Sequence, residues 1–310
     1  MWKILSGGFL GWSLGANDSA NIFGTGVATG TIGYKTAVWL TSIFAVSGAM
    51  LEGSKCMGVL NDLSRLLPLE AFFCALAAGI TMAVMTFLAV PASSSHAIIG
   101  AILGIGVISG SADFSPLLKI ITCWVLTPVS GLVMGYILHR SIDRLLDGLH
   151  LGLTGRNRLY HLGILFSGCY GSYTLGSNNV ANVTGVYVGS GLLTPEWAGL
   201  IGGLSIALGV LTYSKRVMMT VGKGIAPLDP FTAFVTVLAG GLTLHIFTQV
   251  GIPVSSSQAI VGAVVGVGMV GGIRTVNPRM LMRIGLGWLL TPVSAGLLSW
   301  LFAIGLLWMK

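Results

Sequence analysis

The sequence predicts an all-α, polytopic membrane protein built from two inverted-topology repeats of about five membrane segments each, with some helices broken or re-entrant. Three observations predict it. Of the 310 residues, 54% are hydrophobic and only 8% charged, against roughly 25% charged in a soluble domain. The mean hydropathy of +0.89 is spread along the chain in repeated apolar runs, not concentrated in one anchor. Polar motifs recur in the same order in both halves. Helices are the expected spanning element, because each backbone N–H and C=O must be satisfied within its own segment in lipid. The runs also lack the alternation of membrane strands.

The first repeat, residues 1–138, contains apolar runs at Trp2–Leu14, Thr36–Leu51, Leu69–Val90, Ala97–Gly110 and Leu117–Leu138. Residues 139–158 form a polar break, read as a cytoplasmic linker. The second repeat, residues 159–310, continues with Leu159–Leu175, Trp197–Leu211, Phe231–Val250, Ala259–Gly272 and Met280–Met309. Several runs fall short of the ~20 residues that a full span needs, which is the signature of broken or re-entrant helices. The opening segment places Lys3 ahead of an apolar stretch, like a signal peptide, but it runs directly into GANDSAN and is read as part of the mature fold.

GANDSAN at Gly15–Asn21 answers GSNNVAN at Gly176–Asn182, an offset of 161 residues. PASSSHAIIGA from Pro91 answers PVSSSQAIVGA from Pro253 at 162, and TPVS from Thr127 recurs from Thr291 at 164. Collinear matches of this kind indicate a duplicated unit. With an odd number of crossings per copy, the two copies lie upside down relative to one another. Placing the N-terminus outside puts eleven of the sixteen Lys and Arg residues in cytoplasmic loops, Arg140, Arg144, Arg156 and Arg158 among them. Lys3, Lys55, Arg65, Lys119 and Lys310 stay outside. The positive-inside rule therefore favours extracytoplasmic termini and a multi-pass protein of the cell (inner) membrane.

The net charge of +7 comes from cations standing singly between apolar runs, with no basic stripe, so nucleic acid is not an expected partner. Cys56, Cys74, Cys123 and Cys169 show no CxxC spacing and read as small buried hydrophobes. The Ser54-Lys55 and Ser214-Lys215 pairs also match and read as loop and solvation features.

Two constellations carry the candidate chemistry. The first is Asn17, Asp18 and Asn21, matched by Asn178, Asn179 and Asn182. A carboxylate at membrane depth costs from about 2.5 kcal/mol upward, so Asp18 is expected to face a cavity or an ion. Gly24 pairs with Gly185 and Gly30 with Gly191, which suits backbone that unwinds or packs closely. The GTGVATG stretch lacks dinucleotide-loop spacing and no strand precedes it.

The second constellation is the serine triplets, Ser93, Ser94 and Ser95 after Pro91, and Ser255, Ser256 and Ser257 after Pro253. Each precedes a short apolar run and reads as a helix N-terminus, where free N–H groups, the dipole and hydroxyl donors together receive an anion. One serine suffices for a cap; three in both copies point to a ligand site. His96 corresponds to Gln258. The Ser-His adjacency lacks an opposed nucleophile–base pair and a GxSxG elbow, so catalysis is not expected.

These motifs, GANDSANIFGTGVATG, GSNNVANVTG and the PASSSHAIIGA/PVSSSQAIVGA pair, resemble those of the PiT family of inorganic phosphate transporters and its sulfate-permease relatives, across both halves. The resemblance implies a symporter moving inorganic phosphate with Na⁺ or H⁺. Sulfate is the alternative substrate and an anion channel the lesser alternative function. It places substrate near Asn17, Asp18, Ser93, Ser94, Ser95, Asn178, Asn179, Ser255, Ser256 and Ser257. It places the coupling cation near Asn17, Asp18, Asn21, Asn178 and Asn182. It calls for no cofactor beyond that cation, and a homodimer is compatible with it. The chain departs from the family in carrying Ser-Ser-Ser where Ser-Thr-Thr is usual, which keeps the hydroxyls, and Asn179 where a second aspartate is usual. The lost carboxylate implies fewer bound cations or a different anion. Hydrogen phosphate has an O–H that seeks an acceptor such as Asp18, whereas sulfate suits donors only.

Overall fold

The computed structural model describes residues 2–63, 66–149, 152–224, 229–271 and 277–308. Arg65, Arg274 and Lys310, counted in the charge asymmetry, and the run ends Gly272 and Met309 lie outside the described residues. Every regular element among the described residues is helical. The first half runs α1 (Leu5–Asp18), α2 (Ala20–Ala28), α3 (Tyr34–Glu52), α4 (Met57–Leu63), α5 (Pro68–Phe87), α6 (Ser94–Ser109) and α7 (Leu117–Gly148). The second runs α8 (Leu153–Gly189), α9 (Pro195–Tyr213), α10 (Lys215–Gly224), α11 (Pro230–Gln249), α12 (Ser256–Val270) and α13 (Pro278–Trp308). Among the described residues, six spans are long and apolar enough to cross a membrane, from α3, α5, α7, α9, α11 and α13.

The starts follow local chemistry. Pro68, Pro195 and Pro230 open α5, α9 and α11 at the position where a missing N–H costs no hydrogen bond. Ser93 and Ser255 cap α6 and α12 by accepting from the backbone N–H of His96 and Gln258. At 16 and 15 residues, α6 and α12 reach about 24 Å at 1.5 Å per residue, short of a hydrocarbon core of about 30 Å. With α5 and α11 they form two hairpins whose segments leading into α6 and α12, residues 91–95 and 253–257, are buried inside the protein.

The two Asn motifs sit in different backbones. In the first half the helix is interrupted at Ser19, between α1 and α2. In the second half Asn178, Asn179 and Asn182 lie in the interior of α8, which runs unbroken for 37 residues. The apolar run ending at Leu175 thus continues as helix, because a glycine-, serine- and asparagine-rich stretch buried in protein still satisfies its backbone most completely as a helix. Gly24 and Gly185 remain helical and pack closely, against Met218 and Leu60. Gly30 and Gly191 both take φ of +72°, the left-handed conformation that ends α2 and α8. Residues 139–148 and 153–158, read as linker, are the ends of α7 and α8. The Ser-Lys pairs are not in open loops: Lys55 lies in a 3₁₀ turn and Lys215 begins α10.

The halves are interlocked. The re-entrant α6 packs on α13 of the other half and α12 on α7, while α1 packs on α9 and α8 on α3. Such reciprocity is what a twofold relation between the halves requires. Small residues permit the approach. Gly100 and Gly104 lie against the backbone of Pro292 and Gly296, and Gly262 and Gly266 against that of Pro128 and Leu132, the close contact by which helices associate in lipid. The outside is apolar, with Leu118, Val125, Val133, Leu289, Val293 and Leu297 all exposed on α7 and α13. The polar motif residues are buried, an inversion expected when lipid is the solvent. Cys56, Cys74 and Cys123 are buried and Cys169 half-buried, all free.

Candidate functional site

The site forms where the two hairpin tips meet the two Asn motifs. Asn17 clamps the first tip: its Nδ2 donates to Thr86 Oγ1 and to the Val90 carbonyl, both at 3.1 Å, and its Oδ1 accepts from the Ala92 N–H at 3.0 Å. Asn178 does the same for the second, donating to Thr248 Oγ1 at 2.9 Å and the Ile252 carbonyl at 3.3 Å, and accepting from the Val254 N–H at 2.9 Å. The partners are counterparts at an offset of 162 residues. Both amides are thus consumed in fixing backbone where the chain turns without helix hydrogen bonds, a role that buried main-chain groups demand.

The remaining motif residues face the serines. Asp18 lies between the two hairpins: Ser94 of α6 donates to its Oδ2 at 2.9 Å, and Ser256 of α12 stands beside the carboxylate. Asn21 Nδ2 reaches Ser256 Oγ at 3.5 Å. Asn182 Nδ2 donates to Ser95 Oγ at 2.9 Å and to Asn179 Oδ1 at 3.1 Å, and Ser95 donates to the Val254 carbonyl at 3.0 Å. Ser257 lies 3.0 Å from Ser255 Oγ and accepts from the Trp288 indole at 3.1 Å. Asp18, Asn179, Asn182, Ser95 and Ser257 are all 0% exposed.

Several polar atoms here have no protein partner: Asp18 Oδ1, Asn21 Oδ1, Asn182 Oδ1, the Ser19 hydroxyl and Asn179 Nδ2. Buried polar groups are nearly always paired, so a cluster of exceptions indicates ligands. The oxygens are one carboxylate with amides and a hydroxyl, a set that fits a hard cation. The first-turn N–H groups of α6 and α12, with their dipoles and the serine hydroxyls, fit an anion. The two sets of groups adjoin, and Asp18 is shared between them.

Two seams close over this centre. Towards one side, Glu52 accepts from Lys55 Nζ at 2.9 Å and Gln249 Nε2 at 3.2 Å, and lies 3.2 Å from His245 Nε2. Tyr170 OH is 2.6 Å from His245 Nδ1. At the twofold-related place, Phe87 packs on Tyr213 with ring centroids 5.3 Å apart, and Tyr213 on Trp12 at 6.1 Å. With both seams made, the residues of the centre are buried.

This arrangement agrees with what the chain is similar to. A model described as the phosphate transporter family matches residues 14–299. The chain belongs to the phosphate transporter family. A provisionally named phosphate permease of Methanocaldococcus jannaschii is 30% identical over 288 residues, covering 93% of this chain and 91% of the relative. The Arabidopsis thaliana inorganic phosphate transporter 2-1, chloroplastic, is 24% identical, covering 96% of this chain and 71% of its own length. Among solved structures, one named the sodium-dependent phosphate transporter superposes with a TM-score of 0.85 over 100% of both chains at 23% identity, which establishes a shared fold. Family and fold are those of transporters, and the chain is a multi-pass membrane protein.

Within this family member, all twelve motif residues named from the sequence gather at one centre, but they divide. Asp18, Asn21, Asn179, Asn182, Ser94, Ser95, Ser256 and Ser257 line it; Asn17 and Asn178 clamp the hairpins and Ser93 and Ser255 cap helices. Sequence reasoning missed Thr86 and Thr248, the second partners of the clamps, although their offset of 162 was available as a signal. It also missed Trp288, which donates to Ser257 and whose counterpart in the first half is Trp124. The tryptophans share an offset of 164 with the TPVS motif three residues on.

Proposed function

We propose that the chain is a symporter that moves inorganic phosphate by alternating access, coupled to Na⁺. The observation that carries this reading is the buried Asp18 carboxylate held between two serine-headed helix N-termini. An acceptor among donors suits an oxyanion that retains an O–H, which is hydrogen phosphate. Burying an unpaired anion is costly, so an adjoining cation is expected to offset its charge, and the unpartnered oxygens of Asp18, Asn21 and Asn182 would hold it. Sodium as that cation is supported by the structural neighbour, which is named as sodium-dependent. The charge asymmetry supports an inner-membrane location with both termini extracytoplasmic.

Sulfate is favoured over phosphate by one feature, the amide of Asn179 where the twofold would place a second carboxylate. Counterflow of labelled phosphate in proteoliposomes, with and without a Na⁺ gradient and with sulfate as competitor, separates the two. Saturable, Na⁺-driven phosphate uptake that sulfate does not block and Asp18→Asn abolishes is the expected outcome. Uptake inhibited by sulfate and indifferent to Asp18 would assign the chain to sulfate; conductance without saturation or coupling would make it a channel.

A further inference from the structure

We propose that Trp288 is a positioning residue for substrate, its indole N–H setting the Ser257 hydroxyl as a hydrogen-bond donor toward the oxyanion. The inference rests on the reading of the serines as the oxyanion site. Trp288 stands on α13, outside both polar motifs, yet it touches both serine helices. Its Nε1 donates to Ser257 Oγ of α12 at 3.1 Å, and its carbonyl is 2.9 Å from His96 Nδ1 of α6. A carbonyl only accepts, so the His96 ring carries its proton on Nδ1 and donates. One residue thus ties the heads of α6 and α12 together.

The consequence for Ser257 follows from counting lone pairs and protons. A serine hydroxyl has one proton and two acceptor sites. Ser255 Oγ, 3.0 Å away, accepts as a cap from the Gln258 N–H at 3.3 Å, which leaves it one acceptor site and its own proton. With the indole N–H filling one Ser257 acceptor site, the Ser257 proton must point away from Trp288, where it is available to Ser255 or to a bound oxyanion. A hydroxyl that accepts one hydrogen bond is also a better donor of the next. Without the indole N–H, the Ser257 hydroxyl is free to rotate away from the donor orientation.

The repeat supplies an internal control. Trp124 on α7 is the counterpart of Trp288 at an offset of 164 residues. Its Nε1 is buried without a partner, and its ring lies over His96 with centroids 3.8 Å apart. The two tryptophans are equivalent by descent and placement, but only one donates to a serine.

The test compares W288F and W124F, each of which keeps an aromatic ring and loses an N–H, in phosphate uptake by proteoliposomes. W288F is expected to raise the half-saturation concentration three- to tenfold and to leave the maximal rate per folded transporter within twofold. W124F is expected to leave both within twofold. Because the effect passes through Ser257, the S257A/W288F double variant should bind no more weakly than S257A alone. An unchanged half-saturation in W288F, an equal loss in W124F, or additive losses in the double variant would overturn the proposal. If W288F does not elute as a folded protein, W288H, which retains a ring N–H, is measured instead: near wild-type half-saturation supports the role and a tenfold rise opposes it. Wild-type uptake separates the two levels, since a wild type that carries no oxyanion defeats the transporter reading, whereas active wild type with unaffected W288F defeats only the positioning role.

Discussion

Asparagine in this site does two kinds of work, distinguished by whether its hydrogen bonds are complete. Asn17 and Asn178 each make three bonds to a hairpin tip; truncation would leave a carbonyl and an N–H without partners, while the threonine hydroxyls keep their bonds to the Met82 and Leu244 carbonyls. Each orphaned group costs about 1–3 kcal/mol, so N17A and N178A should each destabilise by roughly 2 kcal/mol or more, seen as a marked drop in melting temperature in detergent. Asn179 is different. Its Oδ1 accepts one bond and its Nδ2 has no partner, so N179A should melt close to wild type. At this position Asn179→Asp is the more informative change, because it restores the carboxylate that the twofold relation would place opposite Asp18. Uptake by N179D should depend more steeply on Na⁺ than wild type does; an unchanged slope would remove Asn179 from the cation site.

The elements depend on close approach as much as on apolar surface. Gly100 and Gly262 place α6 and α12 against the proline-bearing turns of α13 and α7, where a Cβ would meet backbone rather than a flexible side chain. Overpacking costs typically 1–3 kcal/mol, and here it would also displace the serine heads less than about two turns away on the same short helices. Gly262→Leu should therefore lower both the melting temperature and the affinity for substrate, while Gly305→Leu, on α13 with open space around it, should change neither. This scale also shows what the sequence could reveal. The hydropathy runs marked α3, α5, α7, α9, α11 and α13, because their lipid-facing residues carry the signal directly. It could not reveal α8 as one helix, since the Gly-Ser-Asn run through Asn178 has weak helix propensity and is held helical by tertiary burial. Nor did it mark α4 and α10, which have no apolar run long enough to register. The serine heads were legible because a cap, a proline and a repeat coincide. The division of labour among the asparagines was not, because it depends on Thr86 and Thr248, about 70 residues away in the chain.

Across the whole molecule the repeat imposes twofold geometry, and the sequence then makes the two closures chemically unlike. Gln249 and Phe87 are counterparts, as are Glu52 and Tyr213, and Tyr173 and Trp12. One seam is therefore built from charge and hydrogen bonds, between Glu52 and Lys55 of the first half and His245 and Gln249 of the second. The other is aromatic stacking. Under the proposed orientation the charged seam faces outside. Access to the centre from the two sides then requires breaking interactions that respond to different conditions. Exposed ion pairs weaken as salt rises, because the screening length falls from about 10 Å at 0.1 M to about 3 Å at 1 M, whereas aromatic contacts do not weaken in this way. Replacing Glu52 by Gln removes the charge that both Lys55 and His245 face and should populate the state open on that side. A cysteine at Ser256 reports this by its reaction with a membrane-impermeant thiol reagent, in a background where Cys169 is replaced. Glu52→Gln should speed labelling from outside and make its rate insensitive to salt, and Tyr213→Ala should speed it only from inside. Equal acceleration from both faces would mean that the seams open together and that their chemical difference has no part in gating.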